Sequence, residues 1–454
     1  MLESGFGPVV KSILYKPIAS KDKKEIEKIL KASEKFFRTI SYIFIVYIIG
    51  LCIALPMIVS NEFNIWYTLS LVIIISISTF AEYYFGMTYR LYLQAEQRTY
   101  VTSFIQIGTT ILNTVMIVVL IYFGKSIQVV KLVSAIIFVA RPLLQNLYVK
   151  KKFNINLNDV EANYIIKQKW DGLAQHIASV IHNNTDVVVL TLFTNTVEVS
   201  VYSIYLLIVN GIKNLVQAFT GGVDASFGDM IAKGEKVLLN KSFKVYELFY
   251  FTIVTIIFSV TLIMIVPFVS VYTRGITDAN YYRPIFAYLL VIAEFVWTIR
   301  LPYSSITLAA GHFKETMKGA WVESITNIVL SVILVFKFGI TGVAIGTLIA
   351  MIIRTVEFMY HTSKYILGRN QWYSFKRIII IVVQVCIIVV VANIIPNMSI
   401  INYFKWIIQA IIIGIVSSIV VIISNIILYK NDTKEIINMA KGILLKNKKL
   451  YNLK

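Results

Sequence analysis

Residues 378–392 read IIIIVVQVCIIVVVA, and residues 43–56 read IFIVYIIGLCIALP. Both stretches are apolar on every side of a helix, whereas the strands of a membrane barrel alternate apolar and polar residues over about ten positions. Apolar segments that extend to about 20 residues are typical of transmembrane helices. The two stretches therefore predict an all-α polytopic membrane protein.

The same pattern recurs along the whole chain. Of its 454 residues 57% are hydrophobic and only 15% are charged, and the mean hydropathy is +0.75. Soluble domains carry about 25% charged residues, so this composition argues against a soluble fold. We predict twelve membrane spans, at 39–59, 65–89, 103–123, 127–149, 172–194, 199–228, 246–268, 284–308, 318–338, 341–362, 377–395 and 404–428.

The net charge of +19 would suggest nucleic acid in a polar protein, but this hydrophobicity argues against a nucleic-acid partner. Most of the 43 Lys and Arg lie in alternate connections and in the tail, including 11–38, 150–169 and 430–454. The positive-inside rule assigns these segments, and with them the C-terminus, to the cytoplasm. Cys52 and Cys386 lie in apolar runs, so we predict no disulfide framework, no metal site and no cofactor.

A weak internal repeat has an offset of about 210–215 residues. Phe123-Gly124 corresponds to Phe338-Gly339, and Arg141 corresponds approximately to Arg354. We predict two pseudo-symmetric six-helix lobes and a C-terminal helix pair, with a cavity where the lobes meet. Residues 168–220 have no partner in the first half, so the first lobe is expected to be incomplete. The predicted division is an N-terminal lobe at 1–152, a linker at 153–169, a C-terminal lobe at 170–366, the helix pair at 367–429 and a basic tail at 430–454.

Charged side chains at membrane depth cost roughly 2.5–3.5 kcal/mol each on insertion scales, so they usually face protein or water. His176, Ser179, Asn183 and Asp186 share one face of the span 172–194, and five other spans carry similar polar faces. His182 lies off that face, so a buried position without a role at the site explains it equally well. Ion pairs such as Lys213–Asp224 and Arg354–Glu357 remain an alternative. The residues predicted to line a hydrated cavity are His176, Asn183, Asp186, Gln217, Asp224, Glu294, Glu323, Asn327 and Glu357.

Several motifs resemble the bacterial polysaccharide-biosynthesis flippases of the multidrug, oligosaccharidyl-lipid and polysaccharide exporter superfamily. They are Gly5-Phe6-Gly7, residues 14–19 (LYKPIA), 183–190 (NNTDVVVL) and 309–316 (AAGHFKET). The resemblance implies fourteen helices and movement of lipid-linked oligosaccharide to the outer leaflet of the bacterial cytoplasmic membrane. The twelve spans match the third to fourteenth of that plan, so the first one and a half helices are expected to be missing.

We therefore predict a flippase, not an enzyme, that moves polyprenyl-pyrophosphate-linked oligosaccharide by alternating access. Its expected partners are the lipid-linked oligosaccharide, membrane lipids and polysaccharide polymerase machinery. The cations predicted to hold the pyrophosphate are Lys131, Arg141, Lys213, Arg300 and Arg354. If transport is cation-coupled, H⁺ or Na⁺ would load at Asp186, Asp224, Glu294 or Glu323. The alternatives are a multidrug or cation antiporter, a membrane-embedded polysaccharide polymerase or ligase, and an inactive truncated remnant.

Overall fold

The structure, a computed structural model, describes residues 2–59, 64–157, 160, 164–217, 223–395 and 402–438. These residues form fifteen α-helices and no strand, which confirms the predicted all-α membrane fold. Five-residue π-helical turns follow α3 and α13, at Glu82–Gly86 and Thr362–Ile366. The helices are α1 (Leu2–Ala19), α2 (Lys23–Val59), α3 (Ile65–Ala81), α4 (Met87–Ala95), α5 (Thr99–Tyr122), α6 (Ile127–Phe153), α7 (Lys169–Phe193), α8 (Thr196–Gln217), α9 (Val223–Ala232), α10 (Lys236–Tyr272), α11 (Pro284–Ala309), α12 (Phe313–Phe338), α13 (Ile340–His361), α14 (Trp372–Ile394) and α15 (Tyr403–Leu428).

Eleven helical segments of the described chain are long and apolar enough to cross a membrane, against the twelve predicted. The difference is α7, which covers the predicted span 172–194. Its 25 residues would extend about 37 Å at 1.5 Å per residue, enough to cross a bilayer. Polar residues such as His182, Asn183 and Asp186 lower its hydropathy.

The predicted span 199–228 falls partly outside the described residues. The structure describes α8 up to Gln217 and α9 from Val223, and both lie within the predicted span except for the first residues of α8 and the last of α9. Whether one helix covers the whole span stays a prediction, because residues 218–222 lie outside the described part.

The chain divides into two compact units. Unit 1 comprises residues 1–173 and 222–233, so it contains α1–α6, the start of α7, and α9. Its core includes Phe6 of α1, which stacks on Phe36 of α2 with ring centroids 3.8 Å apart. Helix α9 packs closely on α1, because a Cβ at Gly228 would overlap the ring of Tyr15.

Unit 2 comprises residues 174–221 and 234–454 and contains most of α7, α8 and α10–α15. Helices α12 and α13 approach closely at Gly346, where a Cβ would meet Ser331 at 2.7 Å. Helices α10 and α14 are joined through Glu247, which is fully buried and bonded to two arginines. The distances from its carboxylate oxygens are 2.8 Å to Arg369 Nη2 and 2.8 Å to Arg377 Nη1.

Candidate functional site

A buried carboxylate, Asp186 of α7, lies at the centre of a polar cluster in unit 2. The side chain is 4% exposed. Thr347 Oγ1 lies 2.8 Å from each carboxylate oxygen, Tyr202 donates its hydroxyl at 2.8 Å, and Asn327 Nδ2 donates at 3.3 Å. All of these donors are neutral, and among the described residues Asp186 has no ion-pair partner. It differs in this from the other buried carboxylates, Glu247, Glu294 and Glu323.

Further oxygen atoms lie close to Thr347, the residue that bonds to both carboxylate oxygens of Asp186. Asn327 Oδ1 lies 3.2 Å from Thr347 Oγ1 and accepts a hydrogen bond from Ser331 at 2.9 Å. The carbonyl of Val343 lies 3.1 Å from Thr347 Oγ1. Small hard cations prefer carboxylate, carbonyl and hydroxyl oxygens as ligands. These oxygen atoms are therefore suited to hold a proton on the carboxylate or to bind a small hard cation such as sodium.

His182 connects this cluster to a second buried acid. Its Nδ1 lies 3.2 Å from Asn327 Nδ2, and its Nε2 lies 3.8 Å from Glu323 Oε1. In the sequence His182 lies off the face defined by His176 and Asn183, and it was therefore not among the predicted site residues. The signal that could have found it is its spacing of four residues from Asp186, which puts both on one face of α7.

The predicted polar face of α7 is rotated by about one residue from the face that is buried. Ser179 and Asn183 are exposed, whereas Ala178, His182 and Asp186 are buried. His176 is half-buried, and its Nε2 has no hydrogen-bond partner among the described residues. Neighbouring positions on a helix differ by 100° in direction, so a short polar-rich segment offers two overlapping faces. Hydropathy alone does not decide between them.

Glu323 of α12 forms ion pairs with two arginines. Arg300 Nη1 lies 2.6 Å from Glu323 Oε1, and Arg354 Nε lies 3.8 Å from Glu323 Oε2. Arg354 also pairs with Glu357 at 2.5 Å and donates to the Thr316 carbonyl at 2.6 Å. Both guanidinium groups are at least nine-tenths buried. They are therefore part of a neutralised internal network.

Lys213 of α8 is neutralised in the same way. Its Nζ lies 2.5 Å from Glu294 Oε2 of α11 and 4.1 Å from the centroid of the Trp297 ring. The Arg300 guanidinium lies 5.8 Å from the same centroid. Asp224 of α9 pairs with Lys11 at 4.0 Å within unit 1. The suggested Lys213–Asp224 pair stays a prediction. The suggested Arg354–Glu357 pair is present.

The two remaining predicted headgroup cations lie on α6 in unit 1. Arg141 is half-buried; its Nε donates to Thr109 at 2.6 Å and its Nη2 to Thr110 at 2.9 Å. Lys131 is exposed. Neither has an ion-pair partner within the described ranges.

The structure thus divides the predicted site residues between the units. It brings Asp186, Asn327, Glu323, Arg300, Arg354 and Glu357 into one network in unit 2, with Lys213 and Glu294 joined to it through Trp297. Gln217 is half-buried on α8 in the same unit. Ser331, which shares a polar face with Glu323 and Asn327 in the sequence, also belongs to the network. Tyr202 and Thr347 belong to it as well but were not predicted. The cavity expected where the lobes meet stays a prediction.

Comparisons with known proteins give the fold alone. No protein-family profile and no curated protein sequence matches the chain. Among solved structures, the Vibrio cholerae MATE transporter VcmN in the bent form is 12% identical with a TM-score of 0.63, over 83% of this chain and 84% of that chain. An outward-facing multidrug resistance MATE family transporter of the MOP superfamily is 14% identical with a TM-score of 0.58, over 84% of each chain. The lipid II flippase MurJ, in an inward closed conformation, is 14% identical with a TM-score of 0.53, over 94% of this chain and 96% of that chain.

Proposed function

We propose that the protein is an alternating-access transporter coupled to a cation, and that its substrate is a lipid-linked oligosaccharide with an anionic headgroup. The proposed coupling rests on the surroundings of Asp186, a buried carboxylate that is bonded only to neutral donors. A buried ionised carboxylate without a counter-charge is costly, so it takes up a proton or a cation. The fold shared with multidrug and lipid II transporters supports transport as the activity.

In this proposal the anionic headgroup of the substrate binds the cations that have no ion-pair partner among the described residues. Arg141 and Lys131 have no carboxylate to give up among the described residues, so a pyrophosphate can bind them directly. The guanidinium of Arg141 offers a planar fork that matches a phosphate, in addition to the bonds it makes to Thr109 and Thr110.

The unit 2 cations have a different role in this proposal. Lys213, Arg300 and Arg354 are each paired with a glutamate, so an anion can bind there only by replacing one. A glutamate released inside the unit would be left as an unpaired buried charge, which costs several kcal/mol. It would therefore take up a proton. Headgroup binding in unit 2 and proton uptake are linked in this way.

A multidrug or cation antiporter is the second candidate. The observation that favours it is the charge balance of the unit 2 network, in which four carboxylates, Asp186, Glu294, Glu323 and Glu357, face three cations. A cationic substrate could pair with Asp186 without displacing an ion-pair partner, since Asp186 has none among the described residues. Two of the compared structures are also MATE transporters, one of them a multidrug resistance protein.

Reconstituted vesicles distinguish the two candidates. The purified chain is placed in liposomes with a fluorescent polyprenyl-pyrophosphate oligosaccharide in one arm and a cationic dye in the other, with sodium or proton gradients of either direction. We expect gradient-dependent movement of the sugar lipid, lost in Asp186→Asn. Movement of the dye alone would establish the antiporter, and movement of neither under any gradient would contradict both candidates.

A further inference from the structure

A cavity in unit 2 lies apart from the Asp186 network. It has a volume of about 1060 Å³ and lies among α10, α11, α14 and α15. Each of these helices reaches it near one of its ends, since α10 ends at Tyr272, α11 begins at Pro284, α14 ends at Ile394 and α15 begins at Tyr403. Small-molecule sites in proteins have volumes of about 300–1,000 Å³, so this cavity is large enough for a ligand.

An unsatisfied amide lines this cavity. Gln409 of α15 is 3% exposed, and its Oε1 has no hydrogen-bond partner among the described residues. Gln384 of α14 is equally buried, but its Nε2 donates to Ser424 at 2.5 Å and to Asn425 at 3.1 Å. A buried acceptor without a donor costs about 1–3 kcal/mol. The fold therefore satisfies one glutamine internally and leaves the Oε1 of the other, in the wall of the cavity, without a donor among the described residues.

The wall formed by α10 offers another acceptor. Pro267 has no N–H, so the carbonyl of Ile263, four residues earlier, loses its donor from the helical ladder. Both residues line the cavity. The adjacent carbonyl of Met264 is already used by Trp406 Nε1 at 3.0 Å. Ile263 and Gln409, the residues that carry these two acceptors, thus line two walls of the same cavity.

The rest of the lining excludes a charged ligand. No Lys, Arg, His, Asp or Glu is among the residues that line the cavity in the described structure. Tyr282 and Tyr288 are 62% and 41% exposed and add hydroxyl groups and flat apolar faces. Tyrosines at the ends of spans are typical of the membrane–water interface. Val266 and Ile413, both buried, supply an apolar floor.

We propose that this cavity binds a membrane lipid with an uncharged, hydroxyl-rich headgroup, a neutral glycolipid. The sugar hydroxyls donate to Gln409 Oε1 and to the Ile263 carbonyl, and an apolar chain packs along Val266 and Ile413. An anionic phospholipid would find no counter-charge among the described residues here. The site is independent of the Asp186 network and of the proposed transport activity.

Native mass spectrometry of the full chain tests the site. The protein is purified in a polyoxyethylene detergent, which has no sugar, and is incubated with monoglucosyl diacylglycerol or with phosphatidylglycerol of the same acyl chains. We expect one retained glucosyl lipid per chain and a clear preference over phosphatidylglycerol. Gln409→Leu should lower occupancy by about fivefold or more, the effect of one hydrogen bond. Ala392→Trp, which fills the cavity, should abolish retention.

Gln384→Leu is the matched control, because it removes a satisfied glutamine of equal burial. It should retain the glucosyl lipid as the wild type does, while its melting temperature in lipid-free detergent falls. Gln409→Leu should show the reverse, with lipid lost and the melting temperature unchanged or raised. The proposal is overturned if Gln409→Leu binds the glucosyl lipid like the wild type, if phosphatidylglycerol binds equally well, or if the wild type retains no lipid and water alone fills the cavity.

Discussion

The hydroxyl of Thr347 lies 2.8 Å from each of the two carboxylate oxygens of Asp186. This contact joins α7 to α13 inside unit 2, and Tyr202 of α8 adds a third helix through its own hydroxyl. A carboxylate held only by neutral donors can change between a protonated, a sodium-bound and a charged form without breaking an ion pair. Each change would alter the bonding that joins these helices, which would link the proposed cation loading to their packing.

Replacing Asp186 by asparagine should raise stability and remove the response to cations. In choline at alkaline pH, where the site holds neither sodium nor a proton, the substitution removes an uncompensated buried charge, so we expect the free energy of unfolding to rise by about 1–3 kcal/mol. The wild type should gain stability when sodium replaces choline or when the pH is lowered, because a bound cation stabilises the folded state. Melting temperature in detergent is the measurement. Asp278→Asn, at an exposed loop residue, should keep the wild-type response, and a preserved response in Asp186→Asn would contradict the proposed site.

Glu323→Gln should be strongly destabilising. Arg300 and Arg354 would lose their shared carboxylate, and a buried cation left without its partner costs about 3–5 kcal/mol. The additional substitution Arg300→Gln should recover part of the loss, since it removes the stranded charge. Thermal unfolding of the two single variants and the double variant gives the coupling energy. Glu315→Gln, at an exposed position of the same helix, should be neutral, and simple additivity of Glu323→Gln and Arg300→Gln would argue against the pair.

The parts of this network differ in how far they could be predicted. The all-α fold follows from hydropathy, and the spacing of Glu323, Asn327 and Ser331 along the chain identifies one face of α12. Lys213 and Glu294 are 81 positions apart, and no sequence spacing indicates that their helices adjoin. A helical period defines a face on one helix, whereas the partner of that face depends on tertiary packing. For the same reason the spacing of polar residues does not show that the buried face of α7 contains His182 and not Asn183.

Gly319→Ala should disrupt the Arg354–Glu357 pair. A Cβ at this position of α12 would overlap the Glu357 carboxylate, which would have to leave its place beside Arg354. The carboxylate ends a flexible side chain and Arg354 keeps Glu323 and the Thr316 carbonyl, so we expect a loss of about 0.5–1.5 kcal/mol in the free energy of unfolding, the contribution of one hydrogen bond. Gly211→Ala is the matched control, because nothing lies within 4 Å of its Cβ position and alanine favours a helix. It should be neutral or stabilising by up to about 1 kcal/mol, and equal effects of the two substitutions would refute the steric argument.

Substitution by glutamine should affect a different property at Arg141 and at Arg300. It should lower ligand affinity at Arg141 and the melting temperature at Arg300. Arg141 donates to Thr109 and Thr110 and has no ion-pair partner among the described residues, so Arg141→Gln strands no buried acid. If Arg141 binds the headgroup, this variant should bind farnesyl pyrophosphate about tenfold more weakly, the loss of one charge-assisted hydrogen bond, at an unchanged melting temperature. Arg300→Gln leaves Glu323 with a weaker partner and should lower the melting temperature in the absence of any ligand.

The control for this comparison is Arg90→Gln, which removes a partly exposed arginine of unit 1 that pairs with Glu82 at 3.3 Å. It tests whether the loss of any positive charge in unit 1 weakens binding. Surface ion pairs of this kind contribute about 0–1 kcal/mol, so its melting temperature should hardly change. Unchanged affinity in Arg90→Gln with reduced affinity in Arg141→Gln would locate the headgroup at Arg141. Equal reductions would mean that net charge attracts the ligand, and wild-type affinity in Arg141→Gln would exclude Arg141 from headgroup binding.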